Sequence, residues 1–184
     1  MKMKFAALFL ALSLTLTACG GKGASQNSAP AGSTPEVSSP EDSVPEESAV
    51  DVDLAEFYSA LLDENEWPEL MPLEDELLDG FYPGLSDLSL KQCLVNTAAI
   101  SAAVGEIALV ETENAEDAGK IEEIFQARID YQVGDGTSPG GAWYPMTIEG
   151  WETTSRIVTQ GNYVMLAVGD AADDAVLRFN GLFQ

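Results

Sequence analysis

The chain has 184 residues, with 8 basic and 31 acidic side chains, no histidine and two cysteines. No lysine or arginine occurs between Lys22 and Lys91, while seventeen acids do, which excludes a nucleic-acid partner, whose binding relies on neutralised phosphates. The missing histidine excludes Ser-His-Asp and Cys-His catalysis and every histidine-based metal site.

Residues 1–18 have the three parts of an export signal. Lys2 and Lys4 supply the charge, Phe5 to Leu16 the apolar run, and Thr17 and Ala18 the small residues before Cys19. The run is too short for an ordinary transmembrane helix, which needs about 20 apolar residues. Leu16-Thr17-Ala18-Cys19-Gly20 resembles a bacterial lipobox. The resemblance implies diacylglyceryl transfer to the Cys19 thiol and cleavage between Ala18 and Cys19. Two acyl chains anchor stably where one does so marginally, so the expected location is the extracytoplasmic face of the cell membrane, with the membrane itself as partner through lipid on Cys19. The signal removes two lysines, so the mature side chains carry 6 minus 31, or −25.

Residues 19–50 form the next segment. From Gly20 to Val50 the composition is dominated by Gly, Ser, Ala, Pro and Glu without an aromatic residue, and Pro30, Pro35, Pro40 and Pro45 recur every five residues. Such a stretch buries too little apolar surface to offset its ordering entropy and is expected to be a disordered tether. As a flexible coil it reaches on the order of 30 Å. Residues 51–184 then suffice for one compact domain.

Within that domain, Asp53 with Glu56 suggests a capping box, followed by Leu54, Phe57, Tyr58, Leu61 and Leu62 on one helical face, ending near Asn65. A short helical piece follows from Leu73 to Leu78, and Tyr82-Pro83-Gly84 reads as a turn. Leu90–Asn96 and Glu106–Thr112 read as strands. Asn114 is expected to cap a helix to about Gln132, with Ile121, Ile124, Phe125 and Ile129 inward. Residues 134–141 are glycine-rich loop. Ile157–Thr159 and Tyr163–Val168 form a hairpin around Gln160-Gly161-Asn162. Asp170 is expected to cap a last helix with Ala172, Val176, Phe179 and Phe183 inward. The order gives a single α+β domain, a mostly antiparallel sheet of about four strands with helices packed on one face.

At this point several segments carry a resemblance. The lipobox, Phe57-Tyr58 in an acidic helix, Ser101 to Leu109, Trp143-Tyr144-Pro145, Gly150-Trp151 and Arg156 to Val164 resemble DUF4358, a family of lipoproteins from Gram-positive bacteria with a domain of unknown function. The resemblance implies location and fold. It supplies no reaction and no site residue beyond Cys19.

The remaining residues of chemical interest have plain structural readings. Cys93 sits among Leu90 to Val95 and is expected in the core. Trp143, Tyr144 and Trp151 offer a sugar or peptide patch, or pin a loop to its own core. Glu106 and Arg156, each at a strand start, are expected to pair across the sheet. Asp170, Asp173 and Asp174 suggest a cation site but also fit as cap and first-turn charges, and no EF-hand spacing exists. Neither a catalytic set, a metal site nor a cofactor motif emerges. The expected function is a non-catalytic binding or interaction module for an envelope protein or small-molecule ligand. The alternatives are a cell-envelope hydrolase working through two carboxylates and an acidic domain that binds Ca²⁺ weakly.

Overall fold

The structure, a computed structural model, describes residues 51–137 and 140–184. Ala18, Cys19, the signal and the tether lie outside the described residues.

Asp53 caps α1 (Leu54–Glu64), but only half of the expected capping box forms. Its carboxylate accepts the N–H groups of Ala55 at 2.9 Å and Glu56 at 3.0 Å, satisfying donors that a helix N-terminus leaves open, while the Glu56 side chain does not bond back. Leu54, Phe57 and Leu61 face inward, but Leu62 is exposed. A three-residue strand, β1 (Leu70–Pro72), precedes α2 (Asp75–Phe81). The chain then turns at Pro83-Gly84, where Gly84 has φ +89°. The long strands β2 (Leu90–Ala98) and β3 (Glu106–Thr112) follow. Asn114 leads into a 3-10 turn at Ala115–Asp117 before α3 (Ala118–Val133), and the Asn114 side chain caps nothing. α4 (Pro145–Thr154), β4 (Ser155–Gln160), β5 (Tyr163–Val168) and α5 (Ala172–Gly181) complete the domain. Gly161 occupies the β4–β5 turn at φ +60°, a conformation that L side chains rarely adopt.

All neighbours in the sheet are antiparallel, in the order β1-β2-β3-β5-β4. β3 and β5 are its centre, and every residue of both is buried. Alternation sends their side chains to two cores. Ala108, Val110, Val164, Leu166 and Val168 meet Ile121 and Phe125 of α3 and Trp151 of α4 on one face. Ile107, Leu109, Met165 and Ala167 meet Leu54 and Leu61 of α1 and Ala175 and Phe179 of α5 on the other.

The single α+β domain with an antiparallel sheet is therefore as expected. Two details differ. The sheet has five strands, because β1 adds an edge. Helices cover both faces rather than one, because a central strand such as β3 is apolar on both sides and both need cover. The last helix also lacks the expected cap. Ala171, not Asp170, holds the N-cap position, and no side chain bonds there.

Candidate functional site

A cleft of about 300 Å³ opens on the α2–α3–α4 side of the sheet. Its charged lining residue, Arg128, is ion-paired with Glu106, and the two look unrelated in sequence. Glu106, the first residue of β3, is fully buried, and Arg128 of α3 is 3% exposed. Arg128 lies on the same stripe as Ile121 and Phe125, at a spacing that turns it inward with them. Its guanidinium grips Glu106 along one edge, Nε to Oε1 and Nη2 to Oε2, both at 2.9 Å. The Tyr82 hydroxyl donates to Oε1, and Thr97 Oγ1 donates to Oε2 at 2.6 Å. Four donors thus converge on one carboxylate, which is how a buried charge is tolerated.

The electrostatics are closed. Burial tends to lower the Arg128 pKa, but the bonds and charge of Glu106 outweigh it, and the guanidinium stays above its ordinary range. Burial, reinforced by the Glu106 charge, raises Tyr82 well above the usual phenol range, so it remains a donor. The guanidinium also lies 4.4 Å from the Phe81 ring centroid and 5.2 Å from that of Trp151, a cation–π setting. Arg128 separates the cleft from a second, apolar depression of about 570 Å³ beyond Phe81. Both oxygens of Glu106 are thus engaged, Oε1 by Arg128 and Tyr82 and Oε2 by Arg128 and Thr97.

Apolar side chains surround the cleft. Met71 of β1, Leu77 of α2, Ile100 and Trp143 line it and are also exposed. Trp143 is 83% exposed, whereas Trp151 is buried. The aromatic segment therefore divides: Trp151 packs in the core, and Trp143 lines the cleft while largely exposed. Pro145 at the first position of α4 and Thr147 bonding back to Tyr144 fix how the chain enters that helix. Gly150 lets α4 approach the 98–105 connection, since a Cβ there would lie 2.6 Å from Val104 Cγ2.

On the opposite face of β3, Glu111 accepts from Gln92 at 2.7 Å, Lys91 at 3.0 Å and Asn162 at 3.1 Å. Burial pushes its carboxyl up, but bonds from Gln92, Lys91, Tyr163 and Asn162 outweigh this and hold it below the usual range. Gln92 also reaches the Val52 carbonyl and the Leu54 N–H, tying α1 to the sheet. Glu106 and Glu111 are five residues apart on opposite faces, about 17 Å along the strand. They cannot flank one glycosidic bond, for which about 5–10 Å is needed.

Other expectations need correction. Arg156 does not meet Glu106; it bonds Asp173 at 2.7 Å on the surface. The two strand starts are separated by β5, which lies between β3 and β4. Asp174 is taken by Arg178 and Asn65, and among the described residues no group of three or more Cys, Asp or Glu is placed to hold a metal. Cys93 is exposed rather than in the core, and it lies beyond the Asn96–Ala98 stretch of β2 that pairs with β1. The chain still crowds its sulfur enough for desolvation to push the thiol up to about 11, and the Lys91 ammonium goes to Glu111 instead. Among the described residues no helix is long and apolar enough to cross a membrane.

The family model for a domain of unknown function, DUF4358, matches residues 64–169. That span holds the whole cleft and the ion pair beneath it but not Phe57-Tyr58. No curated protein and no solved structure matches the chain.

Proposed function

The chain belongs to the DUF4358 family, and from that premise we propose that it is a membrane-anchored binding module. In this reading lipid on Cys19 holds it on the extracytoplasmic face. Its domain takes an apolar ligand, a small molecule or a side chain of an envelope protein, in the α2–α3–α4 cleft. The observation that carries the reading is the rim. Four of the nine exposed large hydrophobics among the described residues, Met71, Leu77, Ile100 and Trp143, line this one cleft. Exposed apolar residues scattered singly need no explanation, but a cluster around a concavity is the usual form of a binding site. The floor adds polarity through Arg128, which Glu106 holds in place. A hydrolase working through two carboxylates is less well supported, because the two buried carboxylates of β3 face opposite ways.

Titration of the full chain with small apolar amides such as phenylacetamide, followed by indole fluorescence, tests the binding reading. A saturable change that disappears in Trp143→Ala is expected. Measurable turnover of a cell-wall, peptide or ester substrate would contradict it, as would the lack of any saturable response.

A further inference from the structure

The two edges of the sheet are built differently. β1 is three residues long and ends at Pro72, and beyond it β2 carries Lys91 at an irregularity of register. Short strands, proline, lysine and bulges are the ordinary means of preventing strand addition. β4 has none of them. It runs six residues in unbroken register against β5, with Ile157, Val158 and Thr159 in succession. Its single charge, Arg156, is occupied by Asp173.

Gln160 and Tyr163 flank a two-residue turn and so form a hydrogen-bonded pair. Antiparallel alternation then bonds Arg156, Val158 and Gln160 to β5 and turns the N–H and C=O groups of Ile157 and Thr159 outward. Among the described residues no strand pairs with that edge.

Beside it runs an acidic trough along α3. One shallow depression lies against Ile157 and carries Glu122 and Glu123. The next shares Gln126 with it and carries Asp130, Asp135 and Glu152. Neither is lined by a lysine or arginine.

We propose that the β4 edge is a docking surface for an extended, basic peptide segment of another protein. The segment adds as a sixth strand. Its backbone pairs with Ile157 and Thr159, and alternate basic side chains lie over the carboxylates of α3. Main-chain bonds give such strand addition its affinity, and the flanking side chains give it selectivity. Charge decides against a second copy of this chain as the occupant. A copy would bring a net charge of −23 to the same acidic trough, and the Arg156 on its own edge strand is already paired.

The test uses the full chain and two fluorescent peptides, one alternating lysine with valine and one alternating glutamate with valine. The lysine peptide is expected to bind at least about tenfold more tightly, with affinity falling as salt rises. Thr159→Pro removes an outward N–H without removing a backbone bond to β5, and also removes the hydroxyl that donates to Glu122. It is expected to weaken binding by about tenfold, whereas Thr159→Val, which loses only the hydroxyl, is expected to bind like wild type. The double change Glu122→Gln with Glu123→Gln is expected to weaken it by about threefold and flatten its salt dependence. Equal binding of the two peptides, or binding of neither, would overturn the proposal. So would a folded Thr159→Pro that binds like wild type. If Thr159→Pro does not fold, unchanged affinity in the double variant overturns it. Sedimentation as a dimer that Thr159→Pro disperses would give the edge to a second copy instead, and that too overturns it.

Discussion

Replacing Arg128 by methionine probes the floor of the cleft most sharply. Methionine keeps much of the apolar stem that packs on Phe81 and Trp151 but removes the charge. Glu106 would retain Tyr82 and Thr97 as donors while losing the only cation within reach among the described residues. A buried pair broken on one side costs about 3–5 kcal/mol, a large part of the total of about 5–15 kcal/mol typical of a domain. Melting should fall by on the order of 10–20 °C. Adding Glu106→Gln removes the stranded charge. One of the two hydroxyls then loses an acceptor, at about 1–3 kcal/mol, and the double variant should be about 2 kcal/mol more stable than Arg128→Met alone. Urea unfolding at neutral pH measures both, provided the slope is constant across the series. A loss below about 1 kcal/mol for Arg128→Met, or a double variant that simply sums the two single losses, would refute the reasoning, because the pair would not then be a coupled buried unit.

Glu111 makes stability depend on pH. Its folded carboxyl titrates below the unfolded one, so its contribution is complete above the ordinary carboxylate range and is lost as pH falls through the folded value. Wild-type melting should therefore decline more steeply than that of Glu111→Gln below about pH 4, and parallel curves would remove Glu111 as a cause. Cys93, with its thiol at about 11, should react slowly with iodoacetamide at neutral pH despite its exposure, and the rate should climb steeply above pH 10 or so. Fast labelling at pH 7 would show an activated thiolate instead. Gly150→Ala forces the first turns of α4 away from Val104 and should cost about 1–3 kcal/mol in thermal or urea unfolding; a neutral result would mean that the helix shifts without strain.

Much of this fold was readable because local signals agreed with tertiary demand. Asp53 before an apolar helical face, the β-branched runs of β3 and β5, and the Gly161-Asn162 turn each point one way, and the structure follows them. β1 was not readable: three residues ending in proline have no period, and pairing with β2 alone defines the strand. α4 was hidden behind a glycine-rich loop and interrupted by Gly150, whose presence reflects a close approach to Val104 rather than a helix break. The site was the least legible part. Glu106 is visible as a charge at a strand start, but its partner lies on α3 and not on the neighbouring hairpin. Arg128 carried a usable signal, since it continues the stripe of Ile121 and Phe125, and a charge on an inward stripe demands a buried counter-charge. Cys93 misled for the opposite reason. Its apolar neighbours suggest burial, while its exposure is set by tertiary packing that sequence neighbours do not report.

The proposed location of the domain rests on Cys19. Membrane fractionation of cells producing the full chain or Cys19→Ala, with a salt wash and the mass of the amino-terminal peptide, tests this directly. The expected result is a wild-type protein that stays with membranes and begins at a Cys19 carrying diacylglycerol, and a variant that is released or mislocalised. A Cys19→Ala protein that remains membrane-bound after the wash, or a wild-type Cys19 without lipid, would contradict the account.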